Sequence, residues 1–183
     1  MTSVQDSAGS QPRLSKKARL KQLVDAPDQL RIRAELTEFF GPRAEVYLET
    51  YEKMRGGTEK NQYMVFTWSW PVFLGSFVWF FYRKLHLYGA FMVLMPIALS
   101  YVTGATAAGG GSVAVFAVYS KYIYVHSALS RIIKADDLGL AGQERLDYLH
   151  KAGGVSLTAG LFAGLIYILG LAAAIYGAFY QNQ

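Results

Sequence analysis

The chain has 183 residues, 52% of them apolar and 17% charged, where a soluble domain typically carries about a quarter charged. It has no cysteine, which excludes disulfides, thiolate nucleophiles, iron–sulfur clusters, c-type haem and Cys-ligated zinc. The net charge of +5 divides into +3 over residues 1–26, −1 over 27–61 and +3 over 62–183, a distribution that suits anionic lipid better than nucleic acid, for which no recognition motif is visible.

Residues 1–26 read as a disordered basic tail. Its first twelve residues are rich in Ser and Gln and too polar to bury a core. Residues 13–24 set Leu14, Ala18 and Val24 among five cations, which fits either a short helix lying on a membrane surface or a solvated tail. The first 30 residues contain no apolar h-region, so no cleaved signal peptide is expected and the N-terminus is placed in the cytoplasm.

Residues 27–61 are expected to form a pair of amphipathic cytoplasmic helices. Asp28 is a suitable N-cap for a helix over 29–39 with Leu30, Ile32, Leu36 and Phe39 as its apolar stripe. Gly41-Pro42 breaks it, and Pro42 fits the first turn of a second helix running to about Met54. Gly56-Gly57 stops that one.

Residues 62–183 are expected to be the membrane domain. Residues 64–82 are uncharged and crowded with Trp68, Trp70, Trp79, Tyr82 and five phenylalanines, the composition of a headgroup-level belt. Pro71 and Gly75-Ser76 argue for a broken element. If this stretch spans, Arg83-Lys84 and the charged 131–151 loop fall outside. If it lies in the interface or re-enters, every basic segment stays in the cytoplasm. The positive-inside rule favours the second arrangement. Three spans follow, at about 85–102 with Pro96 as a kink, 112–129, and 155–180. The last, at about 39 Å, is longer than the hydrocarbon core and should tilt. An odd number of crossings puts the C-terminus in the periplasm.

Several features bear on chemistry. His86 and His126 fall near the cytoplasmic ends of the first two spans, the minimum for a bis-His b-type haem or a His-based metal site, or else two polar rings wetted at the membrane edge. Apart from Lys121, the spans contain no Asp, Glu, Lys or Arg, which counts against a proton relay or ion pathway. Gly160 and Gly164 form a GxxxG, and Gly170 and Gly177 extend a repeat of small residues. That stripe suits close packing, either as a dimer face or against the first hairpin. Arg83 and Lys84 beside Trp79 and Tyr82 could hold a lipid phosphate, or act only as topology determinants. Asp136 and Asp137 invite a metal reading, but residues 143–151 read as a mixed-charge surface helix. No nucleophile or acid/base pair has recognisable spacing, so no enzyme is expected.

The segments FGPRAEVYLETYEKM, TWSWPVFLGSFVWFFYRK, YSKYIYVHSALSRII and KAGGVS resemble the bacterial family called domain of unknown function 2628. The likeness runs from about Phe39 to Ala159. Its most specific part is the block Trp68, Trp70, Phe73, Trp79, Tyr82, Arg83 and Lys84. Two departures are Ser120-Lys121, where members often carry Asn-Arg, and Leu85, where they carry Met. The resemblance implies a small multi-pass bacterial inner-membrane protein and brings no established activity, substrate or catalytic residue.

The expectation is therefore an all-α integral membrane protein with three transmembrane helices, an aromatic interfacial or re-entrant element and a cytoplasmic amphipathic helix pair. It is expected to be a non-enzymatic accessory or interaction protein without a cofactor. Its partners would be the lipid bilayer, with anionic lipid or a second membrane protein or copy in contact. The alternatives are a small-solute or lipid-handling transporter component and, below that, a bis-His haem or metal-binding protein.

Overall fold

The structure, a computed structural model, describes residues 15–57, 65–104 and 109–180. Within them every regular element is helical. Helix α1 (Lys16–Val24) starts at Ser15, whose hydroxyl accepts from the Ala18 N–H at 3.3 Å. Helix α2 (Gln29–Phe40) is capped by Asp28, which accepts from the Arg31 N–H at 3.3 Å. A 3-10 turn at Gly41–Arg43 carries Pro42 and leads into α3 (Ala44–Arg55). Proline suits such a start because an opening turn has spare N–H groups. The two helices close a core of Ile32, Leu36, Phe39, Phe40, Tyr47, Leu48, Tyr51 and Met54.

This pair does not stand alone. Residues 16–24, expected within the basic tail as either a membrane-surface helix or a solvated segment, are helix α1, and its Leu20, Leu23 and Val24 are buried against the rest of the core instead of facing a membrane. Arg19 ties α1 to Asp137 at 2.7 Å. The expected disorder of residues 1–12 lies outside the described residues.

The axis of the assembly is α7 (Gly109–Asp137), 29 residues and about 43 Å long. It takes in both the expected 112–129 span and the first part of the expected 131–151 loop. Tyr124, Val125, Ala128, Leu129 and Ile132 recur at three- and four-residue steps and are buried, so one stripe of α7 faces α1, α2 and α3. Arg131, Lys134, Asp136 and Asp137 point outward, which is why the charges there do not interrupt the helix. Helix α8 (Gly142–Ala152) then folds back on α2 with Leu149 fully buried. It is held there by Arg145, whose Nε meets Glu35 at 2.8 Å and whose second amine meets Asp136 at 2.7 Å. These bonds push the Arg145 pKa up, Glu35 contributing most. Helices α1–α3, α8 and the second half of α7 thus make one packed helical head.

The aromatic stretch is broken in two. Residues 65–69 are extended, and the Thr67 N–H donates to the Val118 carbonyl of α7 at 3.2 Å. Helix α4 (Trp70–Gly75) starts with Pro71, and α5 (Phe77–Tyr82) follows a break at Ser76, which sits at φ 48°. Six residues make about 9 Å of helix, so neither crosses a bilayer alone.

Helix α6 (His86–Thr103) contains Pro96 and ends at Gly104 in the left-handed conformation, φ 67°. Helix α9 (Leu157–Tyr180) closes the chain. Among the described residues two stretches are long and apolar enough to cross a membrane: α6, with mean hydropathy 1.4, and the Gly142–Tyr180 stretch, at 2.1, whose apolar part is α9. Helix α7 is not one of them. Only 11% of each apolar window is buried, and Leu161, Phe162, Leu165, Ile168, Leu169 and Phe179 of α9 all face outward.

Helix α9 packs on α5 in antiparallel register. Tyr82 meets Gly160, Val78 meets Gly164, and the Leu74 carbonyl accepts from the Tyr167 hydroxyl at 3.2 Å. A Cβ added at Gly160 would lie 2.9 Å from the Tyr82 ring, whereas at Gly164 the nearest atom, on Val78, is at 4.0 Å. Gly170 and Gly177 have nothing within 4 Å. Of the four glycines in the small-residue stripe, only the first makes a close approach, and its partner is α5.

Candidate functional site

The chain turns sharply after α5. The Arg83 N–H donates to the Trp79 carbonyl at 2.9 Å, and Lys84 takes up φ 59°. That left-handed residue sends two adjacent cations in different directions. Lys84 reaches over to the α8 end, where its Nζ donates to the Lys151 carbonyl at 3.0 Å. Arg83 turns inward and is only 7% exposed.

Arg83 sits in a box of phenol rings. Its guanidinium carbon lies 5.0 Å from the centre of the Tyr47 ring, 5.1 Å from Tyr124 and 5.9 Å from Tyr82. Electron-rich ring faces offset part of the cost of taking the cation out of water. One amine donates a long bond, 3.5 Å, to the Tyr124 hydroxyl. The buried Nε has no hydrogen-bond partner among the described residues, and no described carboxylate lies within ion-pairing distance of the group. Burial pushes the Tyr47 phenol pKa up, with the Arg83 charge opposing it.

Around this cation opens a cleft of about 380 Å³. Arg43 and Tyr47 come from the α2–α3 side, Trp68 to Pro71 from the extended lead-in and the start of α4, Trp79 to Arg83 from α5 and the turn after it, and Lys121 from α7. Trp68 packs edge-on to Trp70 at 5.5 Å, and Trp79 stands 6.0 Å from Tyr124. Among the described residues the lining contains three cations and no Asp, Glu or His. Such a set has no general acid or base poised at neutral pH, and it concentrates positive potential under apolar walls.

Several long-range bonds hold the walls in place. Tyr124 donates its hydroxyl to the Gly154 carbonyl at 3.3 Å, and the Gly154 N–H donates to the Phe39 carbonyl at 2.8 Å. The Ser156 N–H donates to the Tyr82 carbonyl at 2.7 Å. The KAGGVS segment therefore joins the ends of α2, α5 and α9 around Tyr124. Gly153 is required there, since a Cβ would fall 2.0 Å from the Phe39 carbonyl oxygen.

Six of the seven residues expected at the membrane interface meet in this cleft: Trp68, Trp70, Trp79, Tyr82, Arg83 and Lys121. Lys84 does not. Arg43, Tyr47 and Tyr124 join them around Arg83, and nothing in the local sequence marks these three as site residues. His86 and His126 lie elsewhere, each beside its own ring, Phe81 at 5.6 Å and Tyr122 at 5.9 Å. His126 lines a second cleft with Lys16, Leu20 and Met54. No cluster of three or more His, Asp or Glu placed to hold a metal occurs among the described residues.

No family model matches the chain, and no curated protein or solved structure matches it either.

Proposed function

We propose that the chain is a small multi-pass membrane protein of the bacterial inner membrane that works as a non-enzymatic accessory protein. It presents the helical head on the cytoplasmic face as a docking surface. The observation that carries this reading is the contrast between α9 and α7. Away from its contact with α5, helix α9 turns large apolar side chains outward, whereas the apolar stripe of the second half of α7 is buried by its own chain. An apolar surface of that extent calls for lipid or another protein, while the head already supplies its own core.

In this reading α6 crosses outward, the first half of α7 returns and continues as the axis of the head, and α9 crosses outward again. The register of α5 along α9 supports a re-entrant aromatic element. Leu74 lies level with Tyr167, ten residues into α9 from Leu157, which is about 15 Å or half of a roughly 30 Å hydrocarbon core. The chain enters beside Val118 and leaves at Arg83, where it meets Tyr124, so its two ends meet α7 only about 9 Å apart along the helix. Arg83 and Lys84 lie at the exit of this element, with Lys84 against the Lys151 carbonyl at the end of α8, in keeping with a cytoplasmic head. The membrane placement rests on this geometry, and the bacterial inner membrane on the resemblance to domain of unknown function 2628.

The cationic cleft favours a second reading, a lipid-handling transporter component. Purification of the whole chain in mild detergent separates the two. A stoichiometric protein partner supports the accessory reading, and a symmetric homo-oligomer with bound lipid or solute supports the transporter reading.

A further inference from the structure

We infer that the cleft around Arg83 is a binding site for a phosphate group carried by a net-anionic phospholipid headgroup. This rests on the membrane reading above and names the ligand that its interface would take.

Three observations converge on it. The first is charge. Arg43, Arg83 and Lys121 line one cleft, and among the described residues no carboxylate lines it. Elsewhere in the head, the other described arginines that are buried or half-buried are neutralised. Arg145 has Glu35 and Asp136, Arg33 has Glu52, and Arg19 has Asp137. Glu49 feels the field of Lys121, but its strongest partner is Lys53, at 2.6 Å. A cation cleft with no described counter-ion, in a protein that pairs its other buried arginine, Arg145, with carboxylates, is built to receive one.

The second is the unfinished bonding of Arg83. The side chain is more than nine-tenths buried, it lines the cleft, and its Nε–H has no acceptor among the described residues. A guanidinium presents its donors as a planar fork that matches two oxygens of a phosphate. The three phenol rings beside it hold the fork in place without supplying an acceptor at Nε.

The third is the wall. The chain contains three tryptophans, and all three line this cleft. Tryptophan prefers the headgroup level, with one side wet and one side apolar. A phosphate entering here would have an aromatic rim against glycerol and the first acyl carbons. The same geometry disfavours a zwitterionic headgroup, because its ammonium would be carried toward three cations.

The tryptophans provide the readout, since the intrinsic tryptophan emission of this chain comes from the cleft alone. The full chain, delipidated in dodecylmaltoside, is titrated with micellar phosphatidylglycerol, phosphatidylcholine or inorganic phosphate. Saturable emission changes are expected with phosphatidylglycerol at a midpoint at least tenfold lower than with phosphatidylcholine. Lys121→Gln should raise that midpoint about fivefold, and Arg83→Lys, which keeps the charge and loses the fork, about tenfold or more. Circular dichroism on each variant establishes that it is folded, and the half-exposed Lys121 carries the test if the Arg83 variant is not. If inorganic phosphate at millimolar concentration neither shifts the emission nor competes, the phosphate site is one for lipid. If phosphate saturates the change by itself, the chemistry stands and the source is a free anion. Equal midpoints for the two lipids, or a Lys121→Gln midpoint unchanged from wild type, overturn the inference. Failure of the membrane reading is seen separately, as release of the chain into the supernatant by alkaline carbonate.

Discussion

Arg145 and Glu35, 110 positions apart, form a two-pronged ion pair with both nitrogen–oxygen distances at 2.8 Å and both side chains buried. Because α8 and α2 meet through it, the pair fixes how the last quarter of the chain returns to the head. Removing Arg145 leaves the buried Glu35 with only a long 3.9 Å contact to Arg31, and breaking a buried pair typically costs about 3–5 kcal/mol. Arg145→Ala should therefore lower the melting temperature of the detergent-solubilised chain sharply. Replacing both members with apolar residues, as in Arg145→Met with Glu35→Leu, should recover most of the loss. Thermal unfolding followed by circular dichroism checks this, and equal losses in the single and double variants would count against it.

Gly153 is the tightest backbone contact in the described chain, and the obstacle is the Phe39 carbonyl, which cannot rotate away. Gly153→Ala should cost about 1–3 kcal/mol or more by overpacking. It should also loosen the Tyr124–Gly154 bond beside the cleft. Gly177→Ala, with open space around the site, is expected to melt within a degree or two of the parent chain.

The small-residue stripe of α9 predicts a graded series. Gly160→Val collides with the Tyr82 ring and should reduce accumulation in membranes several-fold. Gly164→Ile must displace Val78, which lies at 4.0 Å, and should have a smaller effect. Gly170→Ala is expected to behave as wild type. Immunoblots of membrane fractions at matched expression give the order, and equal effects at all three positions would argue for a dimer face along the whole stripe instead.

Tyr51 joins α3 to α2 by donating its hydroxyl to Gln29 Oε1 at 2.9 Å, and burial pushes its pKa up to about 12. The unfolded phenol ionises near pH 10. Below pH 10 both states are protonated and the contribution is intact. Between pH 10 and 12 the unfolded chain loses its proton first, so stability falls as pH rises. The head should lose stability through that window. In Tyr51→Phe, which has nothing to titrate there, the slope should be shallower, as melting temperatures from pH 9 to 12 would reveal.

Much of the head is readable from local chemistry. Asp28, Pro42 and Gly56 stand at the ends of α2 and α3, because caps and breakers act on their own neighbours. The break in the aromatic stretch follows from Pro71 and Gly75-Ser76 in the same way, although the left-handed residue is Ser76 and not the glycine. The 131–137 segment is helix and not loop, its charges lying on the outer face of α7. Val125, Leu129, Ile132 and Ala135 keep the helical period through it, a signal present in the sequence. The cleft was legible only in half. Local composition marks Trp68, Trp70, Trp79, Tyr82, Arg83 and Lys121 as interface residues, but Tyr47 and Tyr124 are brought to Arg83 by tertiary packing. The opposite fates of Arg83 and Lys84 depend on one backbone angle, which no pattern of residue types encodes.

The membrane placement is tested most directly by cysteine accessibility, for which a chain without native cysteine is well suited. Leu138→Cys and Tyr180→Cys, both at exposed positions, are introduced singly and treated with a membrane-impermeant maleimide in intact spheroplasts. The account predicts labelling at 180, labelling at 138 only after permeabilisation, and both proteins in the carbonate-resistant pellet. Labelling of residue 138 in intact spheroplasts, or recovery of the chain in the carbonate supernatant, would contradict it.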